Sequence, residues 1–174
     1  MLITNDLFYF SCVCPGFVSP HFAETKNQTI FADYIIDFVP SIIKRRNGNN
    51  GKIYSMDDTK NLVEIVVEAL QEKKGRRIVT MDLSKLENPI CQYFVICQGK
   101  TPTQVSALSD SVWDVVYERL KEKPMGAVGM REAQWIAMDY GSVMLHIFIP
   151  ELREFYNLEN LWADADTIEI PDIL

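Results

Sequence analysis

The chain has 174 residues, of which 48% are hydrophobic, 11% aromatic and 24% charged, with a formal net charge of −7. That length fits one domain of about 100–200 residues with an extension, and the composition excludes collagen-like, low-complexity and wholly disordered chains. The sequence holds no run of about 18 uncharged apolar residues, so no bilayer-spanning helix is expected, and the acidic balance disfavours nucleic-acid binding driven by phosphate neutralisation. A basic protein partner is electrostatically easier.

Residues 1–55 and 56–174 differ in character. The first stretch carries five bases and four acids, net +1; the second carries twelve bases and twenty acids, net −8. Pro15, Pro20 and Pro40 interrupt the apolar clusters of the first stretch, which closes on Asn47-Gly48-Asn49-Asn50-Gly51, a turn or linker signal. Leu7–Val18 is apolar, but a secretory signal wants a basic region before it, and the only charge there is Asp6. Residues 1–55 are therefore expected to form a poorly ordered extension, with Met56 as an alternative start. The spacing of the four cysteines (12, 14, 91 and 97) matches no zinc finger. Cys91 and Cys97 read as one strand, which would hold them roughly 20 Å apart, too far for a bridge. Free thiols in a reducing cytoplasm are expected.

From Met56 the pattern sharpens. Asp57 and Asp58 can cap a helix with apolar positions Leu62, Val63, Val66, Val67 and Leu70, which stops at Gly75 after Lys73 and Lys74. Ile78, Val79 and Met81 predict a short strand. Tyr93–Cys97 is a near-continuous apolar run, expected as a central strand covered on both faces. Thr101-Pro102 opens a second helix with buried positions Val105, Leu108, Val112, Val116 and Leu120, ending before Pro124. Gly126 and Gly129 are expected to bracket a loop. Trp135–Met138 and Val143–Phe148 predict two strands joined by a hairpin with Tyr140-Gly141 at its tip, and Pro150 opens a short helix through Tyr156. The last twelve residues hold four acids and no base, which reads as a solvated tail. The expected domain is thus an α/β fold, a single mixed β-sheet flanked by helices over residues 56–162, followed by an acidic tail at 163–174.

Candidate chemistry is sparse. Gly99-Lys100-Thr101 lies between a strand and a helix, but Phe94 stands where a phosphate loop needs its first glycine, so helix capping explains the residues better. Asp82 and Asp139 each end a strand and are the carboxylates a metal-dependent nucleotidyltransferase could use; turn capping is the plainer reading. Cys97 and His146 are the only nucleophile–base pair within the domain, and both sit in apolar strand patterns that favour inert, structural roles. Trp135, Tyr140, Phe155, Tyr156 and Trp162 gather around the C-terminal hairpin and helix, and residue types of this kind anchor protein interfaces. Tyr140, at a hairpin tip, is expected to be exposed.

Trp135-Ile-Ala-Met-Asp139-Tyr140-Gly141-Ser142-Val143-Met-Leu-His146-Ile-Phe148 resembles the W-x-x-x-D-[YLF]-G-[DS]-V-x-x-H-x-[FM] signature of the ribosomal silencing factor family, also called Iojap-like. Arg153-Glu-Phe155-Tyr156-Asn-Leu158-Glu159-Asn-Leu161-Trp162-Ala-Asp164-Ala165 is similar to its R-x-[FL]-Y-x-L-E-x-L-W-x-D-A ending, and Ile78–Leu83 and Tyr93–Gly99 are similar to its strand motifs. The resemblance spans roughly residues 57–165. It implies a nucleotidyltransferase-like fold without catalytic carboxylates, no enzymatic activity and no cofactor or metal. It also implies binding to large-subunit ribosomal protein fourteen, steric blocking of small-subunit docking when nutrients are scarce, and copies that can pair into a homodimer. Trp135, Asp139, Tyr140 and Gly141 are the partner-binding residues it suggests; neither DNA nor a membrane is an expected partner. A large-subunit assembly factor and a nucleotidyltransferase-like enzyme are the alternatives.

Overall fold

A computed structural model of the chain describes residues 55–86, 89 and 91–173. The extension expected over residues 1–55, with Cys12 and Cys14, therefore lies outside the described residues except for Ser55. The elements run α1 (Met56–Glu72), β1 (Arg76–Asp82), β2 (Tyr93–Gln98), α2 (Pro102–Leu120), β3 (Gly126–Val128), β4 (Trp135–Asp139), β5 (Val143–Phe148), α3 (Pro150–Tyr156), α4 (Leu158–Leu161) and β6 (Asp166–Ile170). None of the described helices is long and apolar enough to cross a membrane.

The strands form one mixed sheet in the order β3-β4-β5-β2-β1-β6. Only β2 and β5 pair in parallel; every other pairing is antiparallel. Both members of the parallel pair are buried along almost their whole length, as expected of strands covered on two faces. Alternation along each strand sorts the core into two layers. Ile78, Val95, Cys97, Ile136, Met138, Leu145 and Ile147 pack beneath α1 and α2 through Leu62, Val66, Leu70, Val105, Leu108 and Val112. Val79, Met81, Phe94, Ile96, Trp135, Met144 and Phe148 face the other way, under Leu152, Tyr156 and Leu158 of α3 and α4.

Both long helices begin with side-chain caps. Ser55 Oγ accepts from the Asp58 N–H, and Thr101 Oγ1 accepts from the Gln104 N–H with Pro102 in the first turn. The Gly99-Lys100-Thr101 segment is thus a helix start, as its capping reading requires.

Four features depart from expectation. Residues 126–128, expected in a loop, form the edge strand β3. The segment expected as a solvated tail carries β6, which pairs with β1 from Ile78↔Ile170 to Asp82↔Asp166 while its side chains stay largely exposed. Cys91 precedes β2 rather than sharing a strand with Cys97; both are buried free thiols. The β4–β5 turn also sits one residue later than expected. The Tyr140 N–H donates to the Val143 carbonyl, so Tyr140 continues β4 and the turn is Gly141-Ser142. Gly141 at φ 84° is the first central position, where a two-residue hairpin of this kind requires glycine.

Candidate docking surface

That one-residue shift decides where Tyr140 goes. Alternation places it on the face of Ile136 and Met138, in the core beneath α1 and α2, with 1% exposure. The expectation of an exposed hairpin tip is corrected accordingly. Burial raises its phenol pKa above the ordinary tyrosine range. Asp139 is also buried; its Oδ1 accepts from the Gly141 N–H at 2.7 Å and fastens the turn. Of the four residues singled out for partner contact, Trp135, Asp139 and Tyr140 are buried, and only Gly141 is half-buried. The motif they belong to builds the hairpin rather than an open surface.

Trp135 is the hub of the second core layer. Its indole N–H donates to His146 Nδ1 at 3.3 Å, and its ring lies 4.8 Å from Phe148 and 4.9 Å from Tyr156, centroid to centroid. His146 is fully buried, and burial pushes its pKa down to about 3, so the ring stays neutral at physiological pH and Nδ1 remains an acceptor. Burial likewise raises Tyr156 to about 12.

The proposed catalytic pairs do not assemble. Cys97 packs on the α1–α2 face, whereas His146 meets Phe94 edge to face at 5.1 Å on the opposite face. Burial pushes the Cys97 thiol up to about 12, the reverse of an activated nucleophile. Asp82 on β1 and Asp139 on β4 are three strand spacings apart, roughly 14 Å at about 4.8 Å each. Burial alone would raise the Asp82 carboxyl. The Ser84 hydroxyl and N–H, the Tyr93 hydroxyl and Lys85 outweigh that and hold it below the ordinary carboxylate range. Both aspartates are occupied as turn caps.

The aromatic layer reaches the surface through α3. Phe155 meets Tyr156 edge to face at 5.0 Å and is 50% exposed; Leu161 on α4 is 41% exposed. Glu151, Glu154 and Asp164 of the same segment are exposed as well. Residues 150–174 contain seven acids and one base, Arg153. That base is 3% exposed: Nε and Nη2 donate to Glu159 at 2.8 and 2.6 Å, and Nη1 donates to the Arg77 carbonyl at 2.6 Å. The one base of this segment is turned inward, so the exposed charges among its described residues are all carboxylates. Sequence reading grouped Phe155 with its buried neighbours and missed Leu161. A helical phase did carry the distinction: Leu152 and Tyr156 are four apart on the buried face, and Phe155 falls off it.

Fold and surface together define a mixed-sheet α/β domain whose C-terminal helices carry exposed apolar side chains and exposed carboxylates. The chain belongs to the family described as ribosomal silencing factor during starvation, a sequence model of which matches residues 56–174. It is 32% identical over 114 residues to the ribosomal silencing factor RsfS of Halalkalibacterium halodurans, covering 65% of this chain and 95% of that protein. It is 29% identical over 104 residues to the mouse mitochondrial assembly of ribosomal large subunit protein 1, covering 58% and 45% respectively. A crystal structure of a Chromobacterium violaceum protein superposes with a TM-score of 0.58 at 30% identity, covering 60% of this chain and 86% of that one.

Proposed function

We propose that this chain is a cytoplasmic, non-catalytic translation factor that docks on the large ribosomal subunit through ribosomal protein fourteen and sterically excludes the small subunit. Membership of the silencing-factor family over residues 56–174 is the observation that carries the reading. The charge supports it: residues 56–174 carry a net −8, which is complementary to a basic ribosomal protein. In this mechanism Phe155 and Leu161 enter an apolar depression on the partner, while Glu151, Glu154 and Asp164 steer the encounter. No bond is made or broken and no cofactor is needed. Inhibition follows from occupied surface alone.

The test is subunit reassociation followed by gradient sedimentation, with and without the protein. Wild type should leave separate subunits and co-sediment with the large one. F155E/L161E should lose co-sedimentation at an unchanged melting temperature, since both side chains are exposed. A variant that folds and still blocks reassociation would refute this surface. The mouse relative's name favours a second reading, assembly of the large subunit. Recovery of the protein on immature particles alone would favour it.

A further inference from the structure

Bases gather at one junction of the domain: the segment Lys73-Lys74-Gly75-Arg76-Arg77, running from the end of α1 into β1, holds four bases in five residues. Folding adds a fifth. The Gln104 side chain on α2 donates from Nε2 to the Lys73 carbonyl at 3.2 Å and the Lys74 carbonyl at 3.1 Å. Its Oε1 accepts from the Lys100 N–H at 2.9 Å. One amide thus clasps the α1–β1 turn to the β2–α2 turn and brings Lys73, Lys74 and Lys100 into one neighbourhood.

All three lysines are exposed, as is Arg77. Asp172 pairs with Arg76 at 3.4 Å and accepts from the Arg77 N–H at 2.8 Å, whereas Lys73, Lys74 and Lys100 have no carboxylate partner among the described residues. Residues 99–109 of the facing segment contain no acid, so nothing on α2's first two turns neutralises the group. Lys74 and Arg77 sit at φ 55° and 48°, a left-handed conformation that glycine or asparagine adopts more easily than other L-residues. Long cationic side chains stand there all the same. The α2 terminus is already capped by Thr101, so any anion attracted here meets side-chain ammonium and guanidinium groups rather than a bare helix end.

We infer that Lys73, Lys74 and Lys100, clasped by Gln104, form a contact site for the phosphate backbone of RNA, a second foothold beside the protein-docking face. The choice of RNA rests on the ribosomal reading above; the charge complementarity stands independently of it. Such a patch supplies affinity without sequence preference, and its signature is salt dependence. Each neutralised phosphate contributes a log–log slope of about −0.9 on a duplex, so three lysines carry a slope of about −2.7.

The experiment uses the full chain, a fluorescent RNA hairpin of about twenty base pairs and potassium chloride from 50 to 200 mM. K73Q/K74Q/K100Q leaves the Gln104 clasp intact, because that clasp uses only backbone groups of these lysines. It should bind the hairpin at least tenfold more weakly than wild type at 50 mM, with a slope shallower by about 2–3. K60Q/K121Q/K123Q removes the same charge elsewhere and should bind as wild type. The inference is overturned if the first variant matches wild type, if the control loses as much, or if wild type fails to bind the hairpin at 50 mM. A parallel titration with isolated ribosomal protein fourteen separates the two claims. Binding of that protein without patch-dependent RNA binding refutes the patch alone; patch-dependent RNA binding without it refutes the docking proposal and leaves the patch standing.

Discussion

Trp135→Ala separates a core role from an interface role for the residue that heads the hairpin motif. The indole is 2% exposed and stacks on Phe148 and Tyr156. Truncating a buried tryptophan costs about 3–5 kcal/mol, and losing the hydrogen bond to His146 adds about 1 kcal/mol. For a domain of this size each kcal/mol lowers the melting temperature by roughly 4 °C, so a fall of about 15–25 °C is expected. Trp135→Phe keeps most of the ring contact and should lose about 1–2 kcal/mol. The assay is a circular-dichroism melt, paired with affinity for ribosomal protein fourteen measured well below each variant's transition. Folded Trp135→Phe should bind as wild type. A variant with an unchanged melting temperature and at least tenfold weaker binding would refute the burial argument and return Trp135 to the interface.

Two further outcomes follow from buried polar groups. His146 has a folded pKa of about 3, below its unfolded value of about 6.5, so between those limits the unfolded chain binds a proton that the native state does not. This contribution to stability is present above pH 6.5 and is lost as pH falls towards 3; from pH 7.5 to 5 the loss is about 2 kcal/mol. Chemical denaturation at the two pH values measures it, and a His146→Gln variant with the same pH dependence would contradict the assignment. Arg153→Ala removes both the Glu159 pair and the bond to the Arg77 carbonyl, and should cost about 2–3 kcal/mol by denaturant unfolding. An unchanged midpoint would show that the inward-turned guanidinium contributes nothing.

Legibility from sequence followed the strength of the local pattern. β2 and β5 were readable because burial on both faces leaves unbroken apolar runs, and α1 and α2 because their apolar positions recur at helical spacing. β3 has three half-buried residues, too few for any period. In β6 the alternation Thr167-Ile168-Glu169-Ile170 was present, but the surrounding carboxylates spoke louder than a strand whose two faces are both wet. Tyr140 was misplaced because Tyr140-Gly141 and Gly141-Ser142 are both plausible turn centres. The choice is made by the Tyr140–Val143 backbone bond, which the chain reveals only once the strands pair. Of the candidate surface the sequence marked only an aromatic cluster; the exposure that separates Phe155 from Trp135 depends on tertiary packing.

The pairing of β1 with β6 has a consequence during synthesis. β1 and its outer neighbour lie near opposite ends of the domain's sequence, so a nascent chain exposes one edge of β1 until β6 has emerged. Long-range pairing of this sort forms late, and an open strand edge is a template for other chains. Until then, Ile78 through Asp82 have hydrogen-bonding groups with no neighbour on that side, and the domain is most prone to aggregate in that interval. Closing that edge, rather than adding to the core, is what the sparsely buried β6 does for the molecule.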